Sequence, residues 1–323
     1  MKKTALIGAI TLAATGAANA QLQIYGLLDA SYGKSLAADL ADQKADFHSG
    51  GDNGNSEGNS TSRFGLKGST DVGSGLKANF KLESNGITSD GAVNTPFFGR
   101  QAWLGVSGAF GEVRLGRQDS VSFQTMIDFD FNGASNGVSA GAYSGVGAWV
   151  PGRQSRSLQY ITPNFSGVTA QVGFVPKGNG PTGTKNVFSA GVKYAAGPFA
   201  VAGSLQTKED SASQNFFSVA GSWDFAVAKV MVSYADGGKI AEGGSGDGVV
   251  LGVNVPVAGF NIGAHYAKNL DDDAKIDSYE FFVNKEVLKN TYAYVEVGNW
   301  KSKVAPAPAD KATGYAVGVI YTF

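Results

Sequence analysis

The sequence predicts an all-β fold, a 16-stranded antiparallel transmembrane β-barrel, and three observations support this. Apolar and polar residues alternate with period 2 through much of the chain. Short turn signals alternate with longer polar segments. Beyond residue 20, no apolar run reaches the ~20 residues that a transmembrane helix needs. Strands, rather than helices, should therefore carry the chain through a membrane.

Composition narrows the classes of function. The 323 residues include 46 glycines, 9 prolines and no cysteine, which excludes a disulfide scaffold, a thiolate metal site and a cysteine nucleophile. The formal charge is −1, and removal of Lys2 and Lys3 would make it −3. Nothing resembles the basic excess of a nucleic-acid-binding protein, so we expect no nucleic-acid partner. No proline-rich linker divides the chain, which favours one large domain.

The first 20 residues have the pattern of a secretory signal peptide. Two lysines precede an apolar run over residues 5–18, which ends in Ala18-Asn19-Ala20. A positive n-region, an apolar h-region and a small-x-small site predict cleavage between Ala20 and Gln21. The run is short for a membrane anchor, and polar sequence follows at once. We therefore expect an exported chain, with residues 1–20 as signal peptide and residues 21–323 as the barrel.

Four segments show the alternation most clearly: residues 76–84, 248–255, 278–284 and 314–323. Each places apolar side chains on one face and polar or small ones on the other, because successive side chains of a strand point to opposite faces. A soluble β-sandwich would show the same alternation. The pattern alone leaves both folds open.

Turn and loop lengths favour the barrel. Seven short turn signals alternate with eight longer polar stretches, which separates sixteen strands. Short turns at one rim, long loops at the other and an even strand count are typical of bacterial outer-membrane barrels. The 303 residues after Ala20 give about 19 per strand, enough for ~10 residues of strand with its connections. The turns are 71–75, 108–111, 163–167, 196–198, 224–228, 256–259 and 287–290, and the loops are about 33–59, 85–97, 119–152, 176–186, 208–215, 236–247, 269–277 and 302–312.

Several motifs resemble the Gram-negative general diffusion porins, and most closely the β-proteobacterial, neisserial-type branch. The likeness covers nearly the whole chain after residue 20 and is strongest over residues 21–175. The motifs are Tyr25-Gly26-Leu27-Leu28-Asp29, Ser62-Arg63-Phe64-Gly65-Leu66-Lys67-Gly68, Phe98-Gly99-Arg100-Gln101-Ala102-Trp103, Leu115-Gly116-Arg117-Gln118 and Pro163-Asn164-Phe165-Ser166-Gly167.

The resemblance implies a trimeric barrel in the bacterial outer membrane whose long third loop folds into the lumen. It implies a passive channel for small hydrophilic solutes and ions, in contact with outer-membrane lipid and lipopolysaccharide and assembled by the barrel-assembly machinery. The alternatives left open are a substrate-selective channel and a surface-binding barrel, such as an adhesin or phage receptor. Saturable, solute-dependent block of single channels would favour a selective channel.

Strand parity predicts which basic residues line the lumen. Arg63 lies on the face opposite Phe64, and Arg153 shares its parity with Ser157, opposite Leu158. Trp103 is predicted to lie on the face opposite Arg100. An arginine turned toward lipid at mid-depth costs ~2–4 kcal/mol, so these three arginines should face the pore. They also match the basic side of the constriction of the family.

Further charges complete the predicted constriction. Lys77 and Lys81 add to the basic side, while Glu83 falls on the same polar face and matches the wall carboxylate of the family. Asp128 and Asp130 in the third loop are predicted, with Glu83, to form its acidic side. The basic excess predicts a weak preference for anions, although a net charge of −3 points the other way for the loops.

Two outward-facing features suggest assembly. Arg117 shares its parity with Val113 and Leu115, and the family places an arginine here at the trimer interface; a simple strand-end charge is the alternative. Tyr321 and Phe323 end the chain on one face, where aromatic rings suit the interfacial girdle of a barrel. We interpret them as the C-terminal assembly signal.

Other chemistry finds little support in the sequence. A hydrolase could use only His48 or His265, and Gly137-Val138-Ser139-Ala140-Gly141 matches G-x-S-x-G without the strand-to-helix setting of a nucleophile elbow. We therefore expect no enzyme and no cofactor. The run Asp271, Asp272 and Asp273 could bind Ca²⁺ or Mg²⁺ weakly, but its spacing is not that of an EF-hand.

Overall fold

The protein forms a closed antiparallel barrel of sixteen strands, with one extra short strand in the first loop. The computed structural model describes residues 21–36, 44–134, 136–178, 183–237, 246–272, 275–302 and 311–323. The strands are β1 (Gln21–Lys34), β2 (Asp46–Ser49), β3 (Arg63–Gly73), β4 (Leu76–Glu83), β5 (Gln101–Gly108), β6 (Gly111–Asp119), β7 (Arg153–Ile161), β8 (Val168–Val175), β9 (Val187–Ala196), β10 (Phe199–Gln206), β11 (Phe216–Asp224), β12 (Lys229–Asp236), β13 (Gly248–Val257), β14 (Phe260–Asn269), β15 (Ile276–Leu288), β16 (Thr291–Ser302) and β17 (Lys311–Thr322).

All seven predicted short turns lie between consecutive strands at one rim. Strands β3 to β17 pair in chain order, and β1 closes the barrel. The difference from the prediction is β2, which lies within the first predicted loop and pairs with the upper part of β1. It forms because β3 pairs with β1 only from Gln21 to Leu27, which leaves the rest of that edge of β1 without a partner.

The first and last strands meet in a seam. β1 and β17 are antiparallel, with Leu27 opposite Thr322 and Lys34 opposite Tyr315. At the lower end of the seam, Gly26 and Phe323 exchange two backbone hydrogen bonds of 2.9 and 3.1 Å. Since β1 also pairs with β3, these bonds leave no open sheet edge here, as a membrane-spanning sheet requires.

Burial is inverted relative to a water-soluble protein. Large apolar side chains lie on the outer surface, for example Leu104 and Leu115, which are 65% and 59% exposed. At the short-turn rim, outward-facing rings form a continuous row in which Phe199 contacts Tyr194 and Trp223, and Trp223 contacts Phe225. An outer apolar band edged by aromatic rings is the surface that a lipid bilayer covers.

Four short helical segments lie in the described parts of the loops: α1 (Asp52–Asn55) in the first loop, then α2 (Val121–Met126), the 3₁₀ turn Ile127–Phe129 and α3 (Ala140–Ser144) in the third. None of the helices in the described part of the chain is long and apolar enough to cross a membrane.

The third loop, which joins β6 to β7, lies inside the barrel. Met126, Phe129 and Trp149 pack against Ala202 and Ala220 of the barrel wall. Further along, Val146 packs near Val250, and Val138 packs with Leu36 and Trp300. The apolar core of this protein therefore lies between the inward-folded loop and one side of the barrel.

Candidate functional site

The third loop divides the inner surface of the barrel into two parts. It packs along β8 to β16, and we call this side the covered wall. The inward faces of β3 to β7, together with the lower part of β1, carry a different set of charged side chains, and we call this side the open wall. The open space of the lumen lies between the loop and the open wall.

The loop begins with a capped helix against β8 to β10. The Ser120 side chain accepts a hydrogen bond from the Phe123 backbone N–H at 2.9 Å, which caps the N-terminus of α2. From α2, Ser122 contacts Ser204 of β10 at an oxygen–oxygen distance of 3.0 Å. A capped first turn held against the wall fixes the direction in which the loop enters the lumen.

Glu280 on β15 is the main polar anchor of the loop. Its carboxylate accepts hydrogen bonds from the side chains of Asn132 (2.7 Å) and Asn136 (3.2 Å) and from the backbone N–H of Ala140 (2.9 Å). His265 Nδ1 lies 3.1 Å from the same carboxylate, and His265 Nε2 accepts from the Phe131 N–H at 3.2 Å. The Glu280 side chain is fully buried. One wall carboxylate thus binds several successive parts of the loop.

A second carboxylate joins the first and third loops. Glu296 on β16 accepts hydrogen bonds from Asn59 (2.8 Å) and Asn132 (3.0 Å). Between the loops, the Gly137 N–H donates to Gly58 O at 2.8 Å. On β16, a Cβ atom at Gly298 would lie 2.6 Å from Val138 O, so only glycine permits this close approach of loop and wall.

The open wall carries a cluster of cations around Glu83. Arg100 Nε bonds to Glu83 Oε1 at 2.7 Å, and Lys81 Nζ lies 3.4 Å from Glu83 Oε2. Arg63 Nε is 3.9 Å from the same carboxylate and donates from Nη1 to Thr61 O at 2.7 Å. The Tyr25 hydroxyl also donates to Glu83, at 2.7 Å. Three cations therefore share one carboxylate.

Arg153 extends this cluster toward the start of the third loop. Its Nε lies 3.3 Å from Asp119 Oδ1, and its guanidinium lies 5.8 Å from the ring centre of Phe123 in α2. Farther down the wall, Arg114 bonds to Glu112 at 2.5 Å and lies 4.4 Å from the ring centre of Trp103. The open wall in all carries seven cations and four carboxylates, an excess of three positive charges: Arg63, Lys67, Lys77, Lys81, Arg100, Arg114 and Arg153 against Asp71, Glu83, Glu112 and Asp119.

Four of the eight residues predicted for the constriction form one cluster in the structure, and their role there stays a prediction. Arg63, Arg100 and Lys81 surround Glu83. Lys77 is not part of this cluster: it is six residues from Glu83 on β4, about 20 Å at ~3.3 Å per residue, and lies near the short-turn rim. The predicted placement of Lys77 in the constriction is corrected, because parity gives the face of a strand but not the height along it.

The predicted orientation of Trp103 is wrong. Leu104 and Val106 are exposed on the outer face, so Trp103 points into the lumen, where its indole N–H donates to Gln101 Oε1 at 2.8 Å. β5 begins at Gln101. Arg100 precedes the strand, so the alternation does not extend to it, and both side chains lie inside the barrel.

The two loop aspartates have partners outside the arginine cluster. Asp128 forms a 2.7 Å ion pair with Lys193 on β9. Asp130 Oδ1 accepts from the Asn132 N–H at 3.0 Å, and the next residue, Phe131, bonds to His265. Burial raises the pKa of the Asp130 carboxyl to about 6. Their assignment to the acidic side of the constriction stays a prediction.

Sequence reasoning missed two important residues. Arg114 alternates with the outward-facing Val113 and Leu115, so the same parity rule could have placed it in the lumen. Glu280 could likewise be assigned to the inner face. Its role as an anchor had no sequence signal, since its partners in the third loop lie about 140 residues or more away in the chain.

The remaining predicted residues have defined positions. Arg117 donates to Gly99 O at 2.5 Å and to Ser155 Oγ at 2.7 Å. Tyr321 and Phe323 are about half exposed, with ring centres 6.2 Å apart. Gln21 begins β1, while Ala20 lies outside the described residues, so cleavage between them stays a prediction.

The predicted weak cation site and the rejected hydrolase site also map onto loops. Asp272 pairs with Lys275 at 3.0 Å, and Asp273 lies outside the described residues. Weak binding of Ca²⁺ or Mg²⁺ at Asp271 and its neighbours stays a prediction. Ser139 caps α3 by accepting from the Ala142 N–H at 3.2 Å. The expectation that the protein is not an enzyme also stays a prediction.

Comparison with known proteins places this architecture in a family. A family profile described as Gram-negative porin matches residues 4–305. Outer membrane porin protein 32 of Delftia acidovorans is 31% identical, over 99% of this chain and 95% of that protein. The major outer membrane protein P.IB of Neisseria gonorrhoeae is 30% identical, over 60% of this chain and 53% of that protein.

Among solved structures, an anion-selective porin from Comamonas acidovorans superimposes with a TM-score of 0.72 at 24% identity, covering 94% of this chain and 100% of that one. This likeness supports the fold. The family match and the sequence relatives decide the identity. The chain belongs to the Gram-negative porin family, and it forms a passive diffusion channel for small hydrophilic solutes in the bacterial outer membrane.

Proposed function

We propose that the channel prefers anions weakly, and that the open wall produces this preference. The observation that carries the proposal is the excess of three positive charges among the seven cations and four carboxylates of that wall. On the covered wall, Glu280 and Glu296 are buried beneath the loop and accept hydrogen bonds from it. Asp128 is paired with Lys193.

The size of the effect follows from simple electrostatics. A unit charge ~10 Å from a permeating ion changes its energy by about 0.4 kcal/mol in water, which is a factor of about two. Several such charges bias the passage of ions without trapping them, as conduction requires. The neighbouring solved porin described as anion-selective agrees with this sign.

The test is the reversal potential of single channels in a planar bilayer with a KCl gradient. We expect a potential whose sign shows that chloride passes more easily than potassium, and whose size falls as ionic strength rises, because salt screens the wall charges. A clear preference for potassium would contradict the proposal.

We further propose that the channel works as a homotrimer, with Arg117 at the contact between subunits. An apolar depression of about 800 Å³ on the outer side of the seam offers a surface for a second copy, and exposed Leu28, Tyr32, Val295 and Val317 border it. Native mass spectrometry and gel mobility without heating would test this: a single-chain mass would contradict it.

A further inference from the structure

Below the arginine cluster, toward the short-turn rim, the open wall contains a recess of about 370 Å³. We call it the Lys67 recess. β1, β3, β4, β5 and β6 contribute to it, and the side chains that matter here are Gln23, Lys67, Lys81, Trp103 and Glu112. It lies beside the path of any solute that has passed Glu83 and Arg100.

The two lysines of the recess are an unfavourable pair. Lys67 and Lys81 occupy directly opposite positions on β3 and β4, and both face the lumen. Like charges directly opposite on neighbouring strands destabilise a sheet. The Lys81 ammonium lies 3.4 Å from a carboxylate oxygen of Glu83. The Lys67 ammonium instead lies over the Tyr25 ring, 5.0 Å from the ring centre. An anion between the two ammonium groups would relieve their repulsion.

Ser69, Asn79 and Glu112 of the recess are already engaged in hydrogen bonds. The Asn79 amide donates to Ser107 and to Glu112 and accepts from Ser69. The two lysine ammonium groups are therefore the strongest hydrogen-bond donors that can turn to a solute here.

Trp103 adds an apolar surface beside these cations. Its indole N–H is bonded to Gln101, and the Arg114 guanidinium stacks on its ring. The ring also borders the recess. An inward-facing indole next to two cations fits a solute that is negative at one end and flat and apolar at the other.

We propose that the Lys67 recess binds small carboxylates with a flat apolar body, of the aromatic carboxylate class. The carboxylate lies between the ammonium groups of Lys67 and Lys81, and the ring lies against the indole of Trp103. This inference rests on the channel function and adds to it a weak binding station beneath the constriction, which raises the local concentration of such solutes without closing the pore.

The experiment is a titration of single-channel current with sodium benzoate in KCl, with sodium acetate as the comparison solute. For the unchanged protein we expect benzoate to reduce the current saturably, and acetate to have a much smaller effect at equal concentration. Lys67→Gln should raise the half-blocking concentration about fivefold, because an exposed ion pair contributes up to about 1 kcal/mol. Trp103→Leu should raise it by a similar factor, because an aromatic pair contributes about 0.5–1.5 kcal/mol. Lys77→Gln, which removes a lumen lysine of β4 that lies away from the indole, should leave it unchanged.

Equal block by benzoate and acetate, or equal block of the unchanged protein and Lys67→Gln, would overturn the proposal. Conductance in KCl alone is measured first. A channel that conducts chloride normally but ignores benzoate contradicts the recess and leaves the porin function intact. Should a variant fail to insert, benzoate quenching of tryptophan fluorescence in the unchanged protein decides: no saturable quenching would also overturn the proposal.

Discussion

The two sides of the lumen use charge in opposite ways. On the covered wall, Glu280 and Glu296 are buried and accept hydrogen bonds from several parts of the third loop. On the open wall, Arg63 and Arg100 crowd around Glu83 and remain partly accessible. Buried carboxylates that accept hydrogen bonds from several parts of a loop hold that loop in place, whereas partly exposed charges in excess create a field for ions. Charged side chains therefore hold the third loop in place on one side of the lumen and set the electric field for ions on the other.

The substitution Glu280→Ala tests most directly whether buried carboxylates of the covered wall hold the third loop. The change leaves Asn132, Asn136 and the Ala140 N–H without their buried acceptor. We expect a loss of about 3–5 kcal/mol in barrel stability, because removing one partner of a buried charged network leaves the others unpaired. We also expect noisier open-channel current, as the loop is less firmly held.

Thermal unfolding, followed by gel mobility, and single-channel recording measure both effects. The matched control is Glu286→Ala, at the exposed end of the same strand, where the carboxylate accepts a hydrogen bond from the Asn290 N–H. Equal melting temperatures for the two variants would show that Glu280 does not anchor the loop.

A smaller effect should follow from pH at Asp130. Burial raises the pKa of this carboxyl to about 6, from an ordinary value of 3.8. Its contribution to stability is thus complete below about pH 4 and is lost as pH rises through 6, because the folded protein favours the protonated form. The stability of the unchanged protein relative to Asp130→Asn should therefore fall between about pH 4 and pH 7.

Melting temperatures of both proteins across this range measure the difference. Asp210→Asn is the control: Asp210 lies in an exposed loop, and hydrogen bonds from Ser213 lower its pKa, so it stays charged throughout. A difference between Asp130→Asn and the unchanged protein that is constant with pH would show that Asp130 does not titrate here.

The smallest expected effect is on the open wall. Arg100→Gln removes one of the three cations around Glu83. We expect the chloride-to-potassium permeability ratio to fall by a factor of about two, the effect of one charge at ~10 Å in water. Reversal potentials measure this ratio. Arg156→Gln removes the same charge from an exposed site where the guanidinium bonds to backbone carbonyls, and it should change the ratio less. Equal shifts in both variants would indicate a general surface-charge effect.

The two walls also differ in how much of them the sequence reveals. Strand order, the seven turns and the inward face of Arg63 follow from local alternation and turn residues, because each depends on neighbours in the chain. The alternation rule fails at Trp103, since Arg100 lies just before the strand. The covered wall depends on pairs such as Asn132 with Glu280, which lie 148 residues apart. Such pairs leave no local pattern, so the path of the third loop could not be predicted from the residues themselves.

The seam between β1 and β17 constrains the order in which the barrel can fold. Gly26 and Phe323, which close it, lie about 300 residues apart in the chain. Every other pair of neighbouring barrel strands is close in the chain and can form by local pairing. The β1–β17 pair can form only when the final strand is available. Folding dominated by such distant pairing is slow and exposes unpaired edges to aggregation. The unpaired edge of β1 must therefore be protected from aggregation until β17 pairs with it and closes the barrel.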